Sequence, residues 1–290
     1  RNSNNTNITN SNITNDKNTT IATNSKNTII IKKKKNLYKR NNKNSIMTKL
    51  FPNLIPTDEN AYPYTITSSG NEGVGFILWN DYGMKMAIEE YLPNFAKTYN
   101  SLPIPVLKAD FFRIFIIETF GGIYADSDTK LLRNPAQWIQ NDDLFEWSDF
   151  YRKEKQYIYK LTEDVNAIIG IECDVDPKSS SWWRMSYGHP LEITNWAFAG
   201  SKNHELFKKM MDKIIHDIKL KIKIDGLESL KSIDPIVYTG PYQWTEVAID
   251  YLNSHVSNFN WYSLTGRFDS GKSKGIHDIL VLPITAFSPG

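Results

Sequence analysis

Lys108-Ala109-Asp110-Phe111-Phe112-Arg113 and, seven residues later, Gly121-Gly122-Ile123-Tyr124-Ala125-Asp126-Ser127-Asp128 are the stretch on which the reading of this chain turns. The apolar run from about Pro105 to Phe120 predicts a helix, and Gly121-Gly122 predicts its end, because glycine adopts the left-handed conformation that closes helices. Ile123-Tyr124-Ala125 then predicts a brief strand. A helix followed at once by a strand is half of an α/β layer.

The same alternation continues outward. Gly75-Phe76-Ile77-Leu78-Trp79 predicts a short buried strand, with Asn80-Asp81-Tyr82-Gly83 as the turn that stops it. Met84, Ala87, Ile88 and Tyr91-Leu92 then recur at helical spacing until Pro93. On the carboxyl side, Asn166 to Glu172 predicts a core strand, and Leu206, Phe207, Met210, Met211, Ile214, Ile215 and Ile218 predict an amphipathic helix. Ile279 to Ile284 predicts one more strand. Strands alternating with helices imply an α/β fold with a mostly parallel sheet.

Asp126 and Asp128 follow the short strand and flank a small Ser127, so both carboxylates can turn toward one point beyond the strand end, where open α/β sheets bind ligands. Two carboxylates are too few to cage calcium. They suit Mg²⁺ or Mn²⁺ whose other positions are filled by diphosphate oxygens and water. Asp110 and Arg113 lie on one helix face, and the Gly-Gly turn folds that face back toward the acidic loop. A carboxylate beside a guanidinium grips adjacent sugar hydroxyls, or the arginine meets a phosphate.

Lys-x-Asp-x-x-Arg followed by Gly-Gly-Ile-Tyr-x-Asp-x-Asp resembles the signature of the Asp-x-Asp glycosyltransferase family that includes the fungal α-1,6-mannosyltransferases initiating N-glycan outer chains. The likeness extends to Phe76-Ile77-Leu78-Trp79-Asn80-Asp81, to Ile193-Thr194-Asn195-Trp196-Ala197-Phe198-Ala199, to Thr239-Gly240-Pro241 with Thr245, and to Val281 through Gly290. It implies a GT-A-type, Rossmann-like nucleotide-sugar-binding domain. It also implies a Mn²⁺ (or Mg²⁺) cofactor, a nucleotide-sugar donor such as GDP-mannose, a glycan acceptor on a glycoprotein, and residence in the Golgi membrane. Asp126 and Asp128 would ligate the metal and carry catalysis, and Asp110, Arg113, Tyr124, Gly121, Gly122, Lys108, Asn195 and Trp79 would bind the donor. Relatives acting on a lipid such as inositolphosphoceramide, and a non-catalytic binder of the same fold, are the alternatives.

Two features depart from that pattern. The strand that usually opens the catalytic domain is not visible between Phe51 and Gly75. The chain also stops at Pro289-Gly290, where related enzymes continue to a histidine, so the domain is expected to be truncated there. Of the five histidines, His277 is the one placed before a strand from which a third metal ligand could come. Asp126-Ser127-Asp128-Thr129 is also similar to the haloacid-dehalogenase phosphatases. That pattern wants Thr or Val where Lys130 stands, and a later Gly-Asp-x-x-x-Asp that is absent.

Composition bounds the rest. With 290 residues, 40% hydrophobic, the chain has ample material for a core, and a single cysteine, Cys173, excludes an internal disulfide scaffold. Residues 1–50 hold eleven Lys/Arg against one acid and fourteen Asn, which predicts a disordered stem or tail with Lys32 to Lys35 solvated. Residues 51–290, the catalytic domain, then carry 23 bases against 31 acids, which argues against a nucleic-acid-binding surface. The densest apolar run, Phe111 to Phe120, is interrupted by Arg113 and Glu118 and is too short to span a bilayer. A chain beginning at Arg1 is compatible with a fragment that has lost an upstream anchor or signal.

Overall fold

The computed structural model describes residues 28–32, 64–67, 74–152, 157–179 and 186–287. The strands are β1 (Thr28–Lys32), β2 (Tyr64–Thr67), β3 (Val74–Leu78), β4 (Gly122–Ala125), β5 (Trp147–Ser148), β6 (Ile158–Tyr159), β7 (Ala167–Asp174), β8 (Leu191–Ile193), β9 (Ala197–Gly200), β10 (Lys274–Ile276) and β11 (Ile279–Leu282). The helices are α1 (Asp81–Tyr91), α2 (Pro93–Asn100), α3 (Pro105–Phe120), α4 (Glu205–Asp225), α5 (Pro235–Tyr238), α6 (Pro241–His255) and α7 (Ile284–Phe287). Among the described residues, one sheet runs β10-β11-β7-β9-β4-β1-β3-β2, with β8 also on β7, and β5-β6 form a separate hairpin.

The fold is α/β, but the expectation of a mostly parallel sheet does not hold. Among the described strands only β7 and β11 pair in parallel; every other pairing is antiparallel. Parallel neighbours need a crossover between them, whereas β10 and β11 are joined by the tight His277-Asp278 turn, and no helix separates β8 from β9. Thr28–Lys32 lies in the segment expected to lack order, yet it pairs with both β3 and β4. The rest of residues 1–50 lies outside the described residues. The Asn80 turn is a helix cap: its Oδ1 accepts from the Gly83 amide at 2.8 Å, satisfying a donor that α1 leaves open.

Helix α3 sits in the middle of the core. Leu107, Phe111, Phe112, Ile114, Phe115, Ile116 and Ile117 are buried, so the helix is apolar on nearly all sides, as a core helix must be. It packs against α4, whose buried face is Leu206, Phe207, Met210, Met211, Ile214 and Ile218. Two charged residues, Asp110 and Arg113, are buried with α3, and they require partners. No helix among the described residues is long and apolar enough to cross a membrane.

The far side of the core is tied by Asp278. Its Oδ2 meets His204 Nε2 at 2.8 Å, and its Oδ1 accepts from Tyr251 OH at 2.8 Å, which joins the start of α4, α6 and the β10–β11 turn. Burial pushes the Asp278 carboxyl up, but the His204 and Tyr251 hydrogen bonds outweigh it and hold the pKa below the usual range. A carboxyl depressed on folding stabilises above its unfolded pKa, and that contribution is lost as pH falls through the folded value. Asp278→Asn should therefore cost on the order of 1–3 kcal/mol at neutral pH. In thermal melts the deficit should shrink below about pH 4. A deficit independent of pH would mean that the charge is not what matters.

Candidate active site

The turn from α3 to β4 builds the site. Gly121 closes α3 with its amide on Ile117 O at 2.8 Å and adopts φ 71° and ψ 175°, and Gly122 follows at φ 119°. A Cβ at Gly121 would lie 2.7 Å from the Lys202 backbone nitrogen, so only glycine lets the chain reverse this close to the strand beside it. The reversal sends β4 back along α3. β4 pairs with β9 in the register Gly122 to Gly200 through Ala125 to Ala197, and the next step is a bond from the Asp126 amide to Trp196 O at 2.9 Å. That register brings Asn195 and Trp196 beside the acidic loop.

Arg113 Nη1 meets Asp110 Oδ1 at 2.8 Å, and Arg113 Nη2 meets Asp126 Oδ1 at 3.4 Å. Tyr124 OH donates to the same Asp126 Oδ1 at 2.5 Å, with the Arg113 guanidinium 5.4 Å from the Tyr124 ring centroid. Asp126 Oδ1 is thus held by two donors, which turns the carboxylate and leaves Oδ2 outside these bonds. Thr129 braces the loop from beyond, its hydroxyl and amide both donating to Asp126 O at 2.6 and 3.1 Å. Asp128, two positions on, is exposed.

Burial dominates the electrostatics. It pushes the Asp110 and Asp126 carboxyls above their usual range, and Arg113 only partly pulls them back. Burial opposes the Arg113 charge as well, but Tyr124, Asp110 and Asp126 outweigh it and raise the Arg113 pKa. Burial likewise raises the Tyr124 phenol, which therefore stays a donor. Arg113 Nε is buried without a hydrogen-bond partner among the described residues.

These groups open into a cleft of about 1220 Å³. Asp110, Arg113, Asp126, Ser127, Asp128 and Asn195 line it together with Trp138, Trp196, Gly240 and Phe287. Small-molecule sites are typically about 300–1,000 Å³, so this cleft is somewhat larger than most. Among the described residues no group of three or more His, Cys, Asp or Glu could by itself hold a metal. Asp126 and Asp128 are two carboxylates that line the cleft close together in sequence. A carboxylate pair of this kind fits a divalent ion that takes its other ligands from diphosphate oxygens and water.

Not every expected site residue is here. Asp110, Arg113, Asp126, Asp128 and Asn195 line the cleft, and Tyr124, Gly121 and Gly122 shape it from behind. Trp79 is 0% exposed and packs edge-on against Phe112 with centroids 5.1 Å apart, so it is core and not a donor contact. Lys108 donates to Asn100 O at 3.1 Å, where it closes the carboxyl end of α2, and it does not line the cleft. His277 is stacked on His255 at 4.5 Å and bonded to Thr162 Oγ1 at 2.9 Å, outside the cleft lining, so it does not serve as a third ligand.

Two residues outside the predicted site set stand beside these groups. Thr239 Oγ1 donates to Asp110 Oδ2 at 2.7 Å. Glu172, on β7, is pushed up in pKa by burial and partly restored by a hydrogen bond from Trp196, near Arg113 and Asp126. The one signal for Glu172 was an acid at the end of the apolar run Ile168-Ile169-Gly170-Ile171.

Comparison with known proteins points to a glycosyltransferase family. Residues 8–145 match the family described as "Glycosyltransferase sugar-binding region containing DXD motif". The chain is 33% identical over 201 residues to the initiation-specific alpha-1,6-mannosyltransferase of Schizosaccharomyces pombe, covering 67% of this chain and 43% of that protein. It is 28% identical over 218 residues to the Candida albicans protein of the same name, covering 68% and 51%. A shorter match, 36% over 72 residues, joins it to inositol phosphoceramide mannosyltransferase 3 of Schizosaccharomyces pombe, covering 22% and 20%. The chain spans about half the length of the first two relatives.

Proposed function

Because this chain carries the sugar-binding region of the DXD-containing glycosyltransferases and is related to fungal mannosyltransferases, we propose that it transfers mannose from GDP-mannose to a mannose of an N-glycan, in α-1,6 linkage with retention. The proposal includes a GT-A-like use of the fold, with the donor on the cleft side of β4 and β9, and a Golgi-lumenal setting that rests on kinship alone. The observation that carries it is the chain of contacts Asp110–Arg113–Asp126 beside the exposed Asp128 in a cleft of about 1220 Å³.

The reaction breaks the bond between the sugar C1 and the diphosphate oxygen and joins C1 to an acceptor hydroxyl, whose proton passes to the departing phosphate. Negative charge grows on the diphosphate, so stabilising that leaving group is the main task. A divalent ion held by Asp126 and Asp128 supplies Lewis acidity there when bound. Asp110 and Arg113 set a carboxylate beside a guanidinium on the cleft lining, a pairing suited to sugar hydroxyls. Asn195 faces the same space. Tyr124 and Arg113 hold Asp126 in place before any ligand arrives, which keeps the site preorganised.

The test is a donor screen of the purified chain with Mn²⁺, scoring free nucleoside diphosphate from GDP-mannose, UDP-glucose and UDP-galactose, with an N-glycan or inositolphosphoceramide as acceptor. GDP release with a mannosylated N-glycan is expected. Release from a UDP-sugar alone would overturn the donor, and transfer only to the lipid would overturn the acceptor. Binding of GDP-mannose without turnover would make the chain a binder.

A further inference from the structure

We infer that Thr239 is a positioning residue: its hydroxyl fixes the Asp110 carboxylate and, through it, the Arg113 guanidinium that reaches Asp126. This deepens the proposed transferase reading and rests on it. Asp110 is 3% exposed, and its two oxygens are divided between two partners, Oδ1 to Arg113 at 2.8 Å and Oδ2 to Thr239 at 2.7 Å. With both ends tied, the carboxylate is held in one orientation, and Arg113 inherits that orientation. The Thr239 hydroxyl also lies 3.2 Å from Pro235 O, but it has one proton to give. The shorter contact to a charged acceptor is the stronger bond.

Thr239 is itself held hard. Asp234 caps α5 by accepting from the Ile236 amide at 3.0 Å, and the amides of Thr239 and Gly240 both reach Pro235 O, at 2.9 and 2.8 Å. A Cβ on Gly240 would lie 2.8 Å from Ile236 Cα, so the corner between α5 and α6 is packed as tightly as glycine allows. Helix α6 is anchored in turn by Trp244 Nε1 on Thr194 O at 3.1 Å and by Thr245 Oγ1, which accepts from the Ile193 amide at 3.2 Å. Ile236, Gly240 and Pro241 of this corner line the cleft. The corner therefore forms one wall of the cleft and also sets the carboxylate that begins the Asp110–Arg113–Asp126 chain.

Thr239→Val keeps the shape and removes the donor, and Thr239→Ser keeps the donor. With GDP-mannose and Mn²⁺, the valine variant should lose about tenfold in kcat, the size expected for one hydrogen bond to a charged group. Donor KM should move less than about twofold, and serine should recover most of the rate. Combined with Asp110→Asn, the valine change should add almost nothing. A valine variant as fast as the parent, a serine variant as slow as valine, or multiplying effects in the double variant would each overturn the inference. If the parent releases no nucleoside diphosphate from any donor, the transferase reading is what fails. The parent, Thr239→Val, Asp110→Asn and the double variant then decide the inference by thermal unfolding, where coupling between positions 239 and 110 supports the link and additivity refutes it.

Discussion

Asp126→Asn is expected to lower Mn²⁺-dependent turnover by roughly a thousandfold or more, the scale seen when a principal charge stabiliser is removed from a reaction centre. The substitution keeps the size of the side chain and keeps an oxygen for Tyr124 OH, whose 2.5 Å bond orients this group. What it removes is the charge that Arg113 meets at 3.4 Å and that a divalent ion requires. The fold should tolerate the change, because burial already disfavours the ionised Asp126 and pushes its pKa up. Thermal midpoints should thus stay close to the parent while Mn²⁺-dependent nucleoside diphosphate binding, measured by calorimetry, disappears. A variant keeping more than about a tenth of parental turnover would show that Asp126 is not the group on which the leaving diphosphate depends.

Arg113→Met should be the most damaging substitution for stability. Arg113 is 6% exposed, and it is the cation facing both Asp110 and Asp126. Removing one member of a buried pair leaves its partner charged and uncompensated, which costs about 3–5 kcal/mol. The pH dependence gives the effect a signature. Both carboxyls already sit above their ordinary range through burial, with Arg113 pulling them down, so its loss raises them further. A carboxyl raised on folding stabilises when protonated, and that contribution is lost as pH rises through the folded value. The variant's deficit should therefore be largest near neutral pH and shrink toward about pH 4 in urea or thermal unfolding. A deficit that is flat with pH would point to lost packing of the arginine stem instead.

The parts of the site legible in the sequence are those written in short spacings. Asp110 and Arg113 are one helical turn apart, and Gly121-Gly122 and Asp126-x-Asp128 lie within the next fifteen positions, so local geometry alone brings them together. Strand direction was not legible. A run such as Ala167–Asp174 announces a strand by composition, but its partner is chosen by contacts across the sheet that no local pattern records. Trp79 shows a similar limit: its strand end is readable, yet which face it turns to the core depends on Phe112 of α3. Lys108 follows the family spacing but spends its charge on the end of α2. Thr239 carries no local signal of its contact, because the carboxylate it bonds is 129 positions away.

That separation matters for how the protein is made. Asp110, Arg113, Tyr124 and Asp126 come from one continuous piece of backbone, whereas the α5–α6 corner that completes the cleft wall belongs to a later piece. Contacts between distant positions form after local ones, since closing a long loop costs chain entropy before it returns any stabilisation. On the ribosome, the acidic half of the centre therefore exists before its support has been synthesised. Two like-charged side chains and one arginine must wait in a half-built core until translation has passed position 240.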